Sequence, residues 1–247
     1  MRAQLPGLTS DDSPALFLDF DGTLVDIVAR PDLTRTSPQL IETLGKLYAR
    51  LNGALAIVSG RPLRDIDRLL APLTLPAAGG HGIEHRDGAG HVESRCPAAI
   101  PAAVRTQLAE LAAGDARLVL EDKGYSLGLH YRQAPELEME IRAELDGITA
   151  TLGPKFSVQD GKMVLELRPT GIDKGSAIEK FMTEAPFSGR HAIFIGDDVT
   201  DEDAFVVVNR LHGTSAKVGE PDTDSAAQFG LNTIADVHSW LEQLIRD

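Results

Sequence analysis

The sequence predicts an α/β fold: a Rossmann-like core with a parallel sheet, into which an α+β domain is inserted. Apolar runs of strand length alternate with helical patterns at both ends of the chain, and this alternation is interrupted in the middle. Runs that are apolar on every side are typical of strands covered by helices on both faces of a parallel sheet. The alternation of strand and helix favours the same arrangement.

The core elements follow one another as strand and helix. Leucines at positions 40, 44, 47 and 51 have helical spacing, and Pro62 suits the first turn of a helix. The predicted core elements are a strand ending at Leu18, a helix over 38–51, a strand over 54–58, a helix over 62–70, a glycine-broken strand over 76–84 before a hairpin near 87–88, a helix over 174–182, a strand over 191–195, a helix ending at Asn209, a strand over 214–218 and a last helix around 240–245.

The middle of the chain has a different order, helix, hairpin, helix, hairpin. Helices are predicted over 100–113 and 136–152, and strand pairs over 117–120 with 125–131 and over 156–159 with 163–168. Asp160-Gly161 is a strong two-residue turn signal for the second pair. We therefore predict a core domain over 1–97 and 169–247 and a cap domain over 98–168, with prolines 97 and 169 at the hinges.

Composition narrows the classes of partner. The 247 residues carry a net charge of −13, which makes nucleic acid an unfavourable partner and repels anionic substrates at long range. A phosphate site in such a chain needs its own metal ion and basic residues. The single Cys96 excludes an internal disulfide, and no run approaches the length of a membrane span. We expect a soluble, cytoplasmic protein without a membrane partner.

Polar residues follow three of the apolar strands, and the carboxyl ends of parallel strands meet at one edge of a sheet. They are Asp19 and Asp21, then Ser59-Gly60-Arg61, then Asp197, Asp198 and Asp201. Carboxylates with room for water suit Mg²⁺, which binds a few acids together with substrate phosphate. Aspartate can act as a nucleophile in phosphoryl transfer, and a second acid can protonate the leaving oxygen. Taken alone, each group is an ordinary solvated turn.

The motifs Asp19-Phe20-Asp21-Gly22-Thr23-Leu24, Ser59-Gly60-Arg61, Lys174 and Gly196-Asp197-Asp198 resemble, in this order, the four motifs of the haloacid dehalogenase-like phosphohydrolases, and the middle domain resembles that superfamily's αββαββ cap. More narrowly, the chain resembles the trehalose-6-phosphate phosphatases. This narrower resemblance rests also on Gly82-Ile83-Glu84, 121–126, 130–132, Glu166-Leu167-Arg168-Pro169 and 196–202.

The resemblance implies a role for each matching residue. Asp19 is then the nucleophile and Asp21 the general acid and later the base, while Lys174 and Ser59 hold phosphate. Mg²⁺ is bound by Asp19, the carbonyl of Asp21 and Asp197, with Asp201 acting through water. In the cap, Glu121, Lys123 and Glu166 match positions that hold glucose hydroxyls. Arg61 and Arg132 are further candidates for substrate binding.

Several alternatives stay open at this stage. A capped phosphatase for sucrose phosphate or mannosylglycerate phosphate shares every core motif, as does a phosphomutase of the same fold. A sugar-phosphate-binding regulator without turnover is the alternative from another class, although the Asp19 and Asp21 pair disfavours it. We expect a small sugar phosphate as the substrate and a monomer as the functional state. Docking to a trehalose-phosphate synthase is left open.

Overall fold

The computed structural model describes residues 3–5, 13–28, 30–220 and 224–246. It divides into two compact units, a first unit of residues 1–94 with 173–247 and a second unit of residues 95–172. Among the described residues, no helix combines the length and the apolar character that crossing a bilayer requires. The roles predicted for the two units, catalytic core and specificity cap, stay predictions.

The described part of the chain contains thirteen strands and seven α-helices. The strands are β1 (Ala3–Gln4), β2 (Pro14–Leu18), β3 (Leu55–Val58), β4 (Ala77–Gly79), β5 (Glu84–Arg86), β6 (Val92–Ser94), β7 (Val119–Asp122), β8 (Leu127–His130), β9 (Phe156–Gly161), β10 (Val164–Pro169), β11 (His191–Gly196), β12 (Thr214–Val218) and β13 (Phe229–Leu231). The helices are α1 (Pro38–Arg50), α2 (Leu63–Leu70), α3 (Ala102–Gly114), α4 (Glu138–Leu152), α5 (Lys174–Met182), α6 (Glu202–Arg210) and α7 (Ile234–Arg246).

The first unit contains a nine-stranded sheet in the order β1-β13-β12-β11-β2-β3-β4-β5-β6. Its pairs are parallel except at one edge, where β4, β5 and β6 run antiparallel. At the centre, Leu16 of β2 lies opposite Ile193 of β11 and Leu55 of β3. Because these central strands are parallel and in register, the residues after them emerge at one edge of the sheet.

Aromatic packing fixes α5 on the central strand. The ring of Phe17 in β2 lies 5.7 Å from that of Phe181 in α5 and 5.4 Å from that of Phe187, measured between ring centroids. All three side chains are fully buried, and burying an aromatic side chain of this size contributes about 1.5–3 kcal/mol. This cluster therefore holds the strand that leads into Asp19 against the helix that begins with Lys174.

The second unit is a four-stranded antiparallel sheet in the order β7-β8-β10-β9, with helices α3 and α4. Its core is separate from that of the first unit, and alternate residues of β8 and β10 supply much of it. Leu127, Leu129, Leu165 and Leu167 are completely buried, whereas Glu166 between two of these leucines lies on the opposite face. The period of two in a strand produces this alternation.

The predicted fold class is confirmed, and the structure corrects several elements. The predicted strand over 76–84 is two antiparallel strands, β4 and β5, joined by a 3-10 turn at Gly80–Gly82. Both glycines have positive φ, which lets the chain reverse there. The turn between β9 and β10 lies at 162–163, where Met163 adopts a φ of 62°, and the predicted turn pair Asp160-Gly161 still belongs to β9.

Other differences concern element ends. Helix α7 begins at Ile234, six residues before the predicted start, because the apolar spacing from Val237 continues it toward the N-terminus. The strand pair predicted over 117–120 and 125–131 is β7 and β8, which start two residues later. The hairpin predicted near 87–88 is formed by β5 and β6. The short strands β1 and β13 were not predicted, since two or three residues carry too little pattern to read.

Candidate active site

Three buried carboxylates meet at the sheet edge where β2 and β11 end. Asp19 follows β2, Asp197 follows β11, and Asp201 ends the 3-10 turn 199–201. One oxygen from each lies within 4.8 Å of the other two, and all three residues are at most 6% exposed. The N–H of Asp19 donates to the carbonyl of Ile195 at 2.9 Å, which fixes the nucleophile candidate to the neighbouring strand.

Lys174 joins this group as the first residue of α5. Its Nζ lies 2.7 Å from Oδ1 of Asp19 and 2.5 Å from Oδ1 of Asp201. Asp173 caps the helix with a capping box that includes Ser176, and this cap fixes where the helix, and with it Lys174, begins. The structure thus brings together the predicted residues Asp19, Lys174, Asp197 and Asp201.

The charges in this group do not balance. Burial raises the pKa of Asp19 well above its usual value. The ammonium of Lys174 lowers it, but the charges of Asp201 and Asp197 raise it again. Burial alone lowers the pKa of Lys174, yet the carboxylates of Asp19 and Asp201 raise it above its usual value, so the ammonium stays charged. Three carboxylates with one ammonium leave an excess of negative charge, which a divalent cation would neutralise.

Asp201 also organises the loop after β11. Its Oδ2 accepts hydrogen bonds from the backbone N–H groups of Asp197 and Asp198, both at 2.9 Å. A Cβ on Gly196 would lie 2.4 Å from the carboxyl carbon of Asp201, so only glycine fits there. Asp201 therefore holds Lys174 with one oxygen and, with the other, the backbone of the metal-ligand candidate Asp197 and of the residue after it.

The donor set fits a hard cation. Carboxylate oxygens are the ligands that Mg²⁺ and Ca²⁺ take, and no His or Cys belongs to the group. Gly22 lies directly against Asp197, where a Cβ would be 2.1 Å from Oδ2, and its φ of 85° is one that L side chains rarely adopt. Asp19, Asp197 and Asp201 are the side chains that could hold a metal. The predicted ligation by the carbonyl of Asp21 stays a prediction.

The carboxylate of Asp21 lies in a different environment from that of Asp19. Arg61 donates from Nε to Oδ2 at 2.5 Å and from Nη2 to Oδ1 at 2.6 Å, so both oxygens of Asp21 are held. The same Nη2 donates to Oγ1 of Thr34 at 2.6 Å. Arg61 was predicted as a substrate ligand, and its guanidinium here contacts the candidate acid and a threonine outside all four motifs.

Ser59 and Gly60 follow β3 at the same sheet edge. Ser59 is buried, and its Oγ accepts the N–H of Arg61 at 3.2 Å. A Cβ on Gly60 would lie 2.6 Å from Nε2 of His81, so the imidazole packs directly on this glycine. His81 has a φ of 58°, which is unusual for a residue other than glycine, and its N–H donates to the carbonyl of Ser59.

A second polar cluster occupies the face of the second unit's sheet that lies opposite the buried leucines. Lys123 Nζ lies 2.9 Å from Oε2 of Glu166, and Ser126 Oγ lies 2.5 Å from Oε1 of the same residue. His130 Nε2 lies 3.0 Å from Oε2 of Glu121. Gly128 of β8 pairs with Glu121 of β7 on one side and with Glu166 of β10 on the other. The two acids are therefore two strands apart, and the residue between them has no side chain.

The pKa shifts in this second cluster come from burial and from the contacts of its glutamates with lysine and histidine. Burial raises the pKa of Glu121, but the hydrogen bond to His130 and the charge of Lys123 lower it below its usual value. Burial lowers the pKa of Lys123, whereas the charges of Glu166 and Glu121 raise it above its usual value. Both groups therefore stay ionised at neutral pH.

Glu121 and Glu166 lie on one sheet, and Lys123, which directly follows β7, contacts Glu166; their role in sugar binding stays a prediction. Arg132 donates from Nη2 to the carbonyl of Lys162 in the turn between β9 and β10. Four residues that contact candidate site residues were given no functional role from the sequence: Thr34, His81, Ser126 and His130. The cross-strand register could have revealed Ser126 and His130, whereas nothing local in the sequence distinguishes Thr34.

The parallel sheet that ends in these aspartates and the helix that supplies the lysine have the arrangement expected from the resemblance to the haloacid dehalogenase-like phosphohydrolases. A solved haloacid dehalogenase-like hydrolase from Bacteroides thetaiotaomicron shares the fold, with a TM-score of 0.67 at 18% identity over 93% of this chain and 98% of that one. The family model described as trehalose-phosphatase matches residues 17–233. The chain belongs to the trehalose-phosphatase family, and it is a phosphatase.

Named relatives agree with this assignment. A trehalose-6-phosphate phosphatase of Escherichia coli is 42% identical over 93% of this chain and 86% of its own length. A probable trehalose-phosphate phosphatase of Sinorhizobium fredii is also 42% identical, over 90% of this chain and 84% of its own length. A solved trehalose-6-phosphate phosphatase related protein has a TM-score of 0.77 at 26% identity, covering 94% of this chain and 96% of that one.

Proposed function

We propose that this phosphatase hydrolyses trehalose 6-phosphate to trehalose and inorganic phosphate, with Mg²⁺ as cofactor and an aspartyl-phosphate as intermediate. The observation that carries the chemistry is the buried group in which Lys174 contacts both Asp19 and Asp201. The substrate is inferred from the family and from the 42% identical relative that bears the name of this activity.

In the first step, an oxygen of Asp19 attacks phosphorus and the bond from phosphorus to the sugar oxygen breaks. Asp21 gives its proton to that oxygen, and trehalose leaves as the neutral alcohol. Lys174, held charged between two carboxylates, stabilises the negative charge of the transferred group. Ser59 binds the phosphate oxygens through its hydroxyl.

In the second step, water attacks the phosphorus of the aspartyl-phosphate. Asp21, now ionised, takes a proton from that water, and the bond from phosphorus to Asp19 breaks. Inorganic phosphate leaves and Asp19 is again a carboxylate. Asp21 thus serves as the acid of the first step and the base of the second, because it is a carboxylate once its proton has gone to the sugar oxygen.

Asp19, the carbonyl of Asp21 and Asp197 are the proposed Mg²⁺ ligands, with Asp201 acting through water. When bound, the ion neutralises charge on the phosphoryl group and on the acids around it. The excess of carboxylates supports this assignment, because burial and the neighbouring charges of Asp201 and Asp197 raise the pKa of the nucleophile Asp19. An attacking carboxylate has to be ionised, and a nearby cation favours that form.

Glu121, Lys123 and Glu166 are the proposed ligands of the glucose hydroxyls, with Arg132 as a further candidate. Glu166 and Lys123 are each only 9% exposed at the side chain and already hydrogen-bonded. Such preorganised groups lose little side-chain entropy when a hydroxyl binds. A sugar hydroxyl can accept a hydrogen bond from the lysine and donate one to the carboxylates of this cluster.

The test is phosphate release from trehalose 6-phosphate, glucose 6-phosphate, sucrose phosphate and mannosylglycerate phosphate, with Mg²⁺ or with a chelator. We expect Mg²⁺-dependent release that is fastest with trehalose 6-phosphate. If another sugar phosphate is hydrolysed faster, that ester and not trehalose 6-phosphate is the substrate. Conversion to an isomeric sugar phosphate would indicate a mutase. Binding in a calorimeter without turnover would indicate a regulator. Cytoplasmic location, a monomeric state and synthase docking stay predictions.

A further inference from the structure

One buried arginine holds both oxygens of Asp21. The two hydrogen bonds run from Nε of Arg61 to Oδ2 and from Nη2 to Oδ1, which is the side-by-side geometry of a guanidinium and a carboxylate. The side chain of Arg61 is 9% exposed, and that of Asp21 is 32% exposed. Asp21 is therefore fixed from one side and open to solvent on another.

Thr34 shares the guanidinium with Asp21. Its Oγ1 accepts from the same Nη2, and the residue is 1% exposed. Arg35 donates to the carbonyls of Thr34 at 2.8 Å and Asp32 at 2.9 Å, which holds this loop in place. The hydroxyl is thus a fixed second acceptor that limits how the Arg61 fork can rotate.

The backbone of Arg61 is also anchored. Its N–H donates to Oγ of Ser59 at 3.2 Å, and its carbonyl accepts the N–H of Gly80 at 2.9 Å. The guanidinium lies 5.9 Å from the ring centroid of Phe20. A side chain that is held at its backbone, its planar face and its donors transmits its position to whatever it binds.

We propose that Arg61 and Thr34 are positioning residues that fix Asp21 as the base of the second step, a role that rests on the proposed two-step reaction. A guanidinium binds a carboxylate more strongly than a neutral carboxylic acid. Asp21 becomes a carboxylate when it has given its proton to the leaving sugar. The two hydrogen bonds from Arg61 hold the carboxylate of Asp21 in one orientation, with part of it exposed to the solvent that supplies the water of the second step.

This role separates the two steps experimentally. With p-nitrophenyl phosphate, the leaving group departs without a proton, so the first step does not need Asp21. Loosening Asp21 should then slow only the hydrolysis of the aspartyl-phosphate. The ratio kcat/KM reports on steps up to release of the alcohol, whereas kcat also includes the later hydrolysis.

The experiment compares Thr34→Val, Thr34→Ser and Arg61→Lys with the unaltered enzyme on p-nitrophenyl phosphate and Mg²⁺. For Thr34→Val we expect kcat to fall on the order of 10-fold, part of the 10²–10⁴-fold that a general base contributes. The ratio kcat/KM should stay within about twofold, since the first step is intact. Acid-quenched samples should contain more phosphorylated enzyme than the unaltered protein, and Thr34→Ser, which keeps the hydroxyl, should restore kcat.

Thr43→Val is the matched control, because Thr43 is also a buried threonine but belongs to α1. It should leave kcat and the phosphoenzyme level unchanged. If kcat and kcat/KM fall together in Thr34→Val, or if neither changes, the positioning role is wrong. If Arg61→Lys does not fold, Thr34→Val still decides.

Asp21→Asn distinguishes the two hypotheses. It should accumulate phosphoenzyme more strongly than any of these variants, since it removes the base itself. If Asp21→Asn accumulates none, the two-step reaction fails and the positioning role fails with it. If Asp21→Asn accumulates phosphoenzyme and Thr34→Val does not, the reaction stands and only the positioning role is overturned.

Discussion

Each of the two units builds a polar cluster around one buried lysine, and the two clusters differ in charge balance. In the first unit, Lys174 faces Asp19 and Asp201, with Asp197 as a third carboxylate. In the second unit, Lys123 pairs with Glu166, whose other oxygen accepts the hydroxyl of Ser126. The first cluster sets three carboxylates against one ammonium, whereas the two carboxylates of the second have a lysine, a serine hydroxyl and a histidine as hydrogen-bond partners.

The backbone that carries each cluster differs as well. Asp19 and Asp197 follow the ends of parallel strands, and the loop that begins at Asp197 is held by two hydrogen bonds from its backbone to Asp201. Glu121 and Glu166 lie within antiparallel strands on either side of Gly128, where no side chain fills the row. An excess of carboxylates at strand ends suits a cation that in turn binds phosphate, and a cluster of lysine and glutamate side chains offers donors and acceptors to hydroxyls.

The largest expected effect is the loss of the nucleophile. Asp19→Asn should lower kcat by about 10⁴-fold or more, as removal of a catalytic nucleophile does. The loss should be equal for trehalose 6-phosphate and p-nitrophenyl phosphate, because both transfer their phosphoryl group to this residue. Steady-state rates measure it, and Asp26→Asn, at an exposed position on the same loop, is the control that should keep full activity.

Removal of the divalent ion should come next in size. A chelator should lower activity on both substrates by at least about 100-fold, since several kcal/mol of transition-state stabilisation is lost. Mg²⁺ should restore activity and raise the melting temperature, as a ligand that binds only the folded state does. Asp197→Asn should reduce this rise. Full activity in the presence of the chelator would contradict the proposal that the acidic cluster binds a catalytic metal ion.

Glu166→Gln should separate the two units most clearly. We expect kcat/KM for trehalose 6-phosphate to fall by roughly 10- to 100-fold, the size of about 1.5–3 kcal/mol for a hydrogen bond to a charged group. The same ratio for p-nitrophenyl phosphate should not change, because that ester has no sugar. Glu110→Gln, at an exposed position of α3, is the control. An equal loss on both esters would contradict a sugar-binding role.

The smallest effect concerns pH. The pKa of Glu121 is lowered in the folded protein, because its bond to His130 and the charge of Lys123 outweigh burial. A lowered pKa contributes stability at pH values above the unfolded value, and this contribution is lost as pH falls through the folded value. The difference in free energy of unfolding between the unaltered protein and Glu121→Gln should therefore shrink as pH falls below about 4.3. Chemical unfolding at several pH values measures it, and a difference that grows would contradict the shift.

Much of the first unit could be predicted from the sequence because its signals are local. Wholly apolar runs predict buried parallel strands, and the acids that follow them were placed at one edge from topology alone. Lys174 and Asp201 are 27 residues apart, yet both were predicted as site residues, Lys174 through the resemblance to the four motifs and Asp201 also because it follows an apolar strand. The contact between their side chains is a tertiary one that neither signal contains.

Other features depend on contacts that a linear pattern does not contain. Thr34 lies 27 residues before Arg61 in a loop without periodicity, so its bond to the guanidinium could not be inferred. The glycines at 80 and 82 were interpreted as breaks in one strand, whereas the chain reverses there into a second strand. A glycine in the sequence indicates that the backbone can turn, but it does not specify the direction of the turn. Two-residue strands such as β1 exist only through their partners.

The most direct test of the central claim is to locate the phosphoryl group during turnover. Asp21→Asn, in which the second step is slow, is mixed with p-nitrophenyl phosphate, whose leaving group needs no proton from Asp21, and with Mg²⁺, then quenched in acid and digested for mass spectrometry. The proposed reaction predicts one phosphoryl group on the peptide that contains Asp19, located on Asp19 itself. A phosphoryl group on another residue, or release of phosphate by the unaltered enzyme without any phosphorylated Asp19 in the variant, would contradict it.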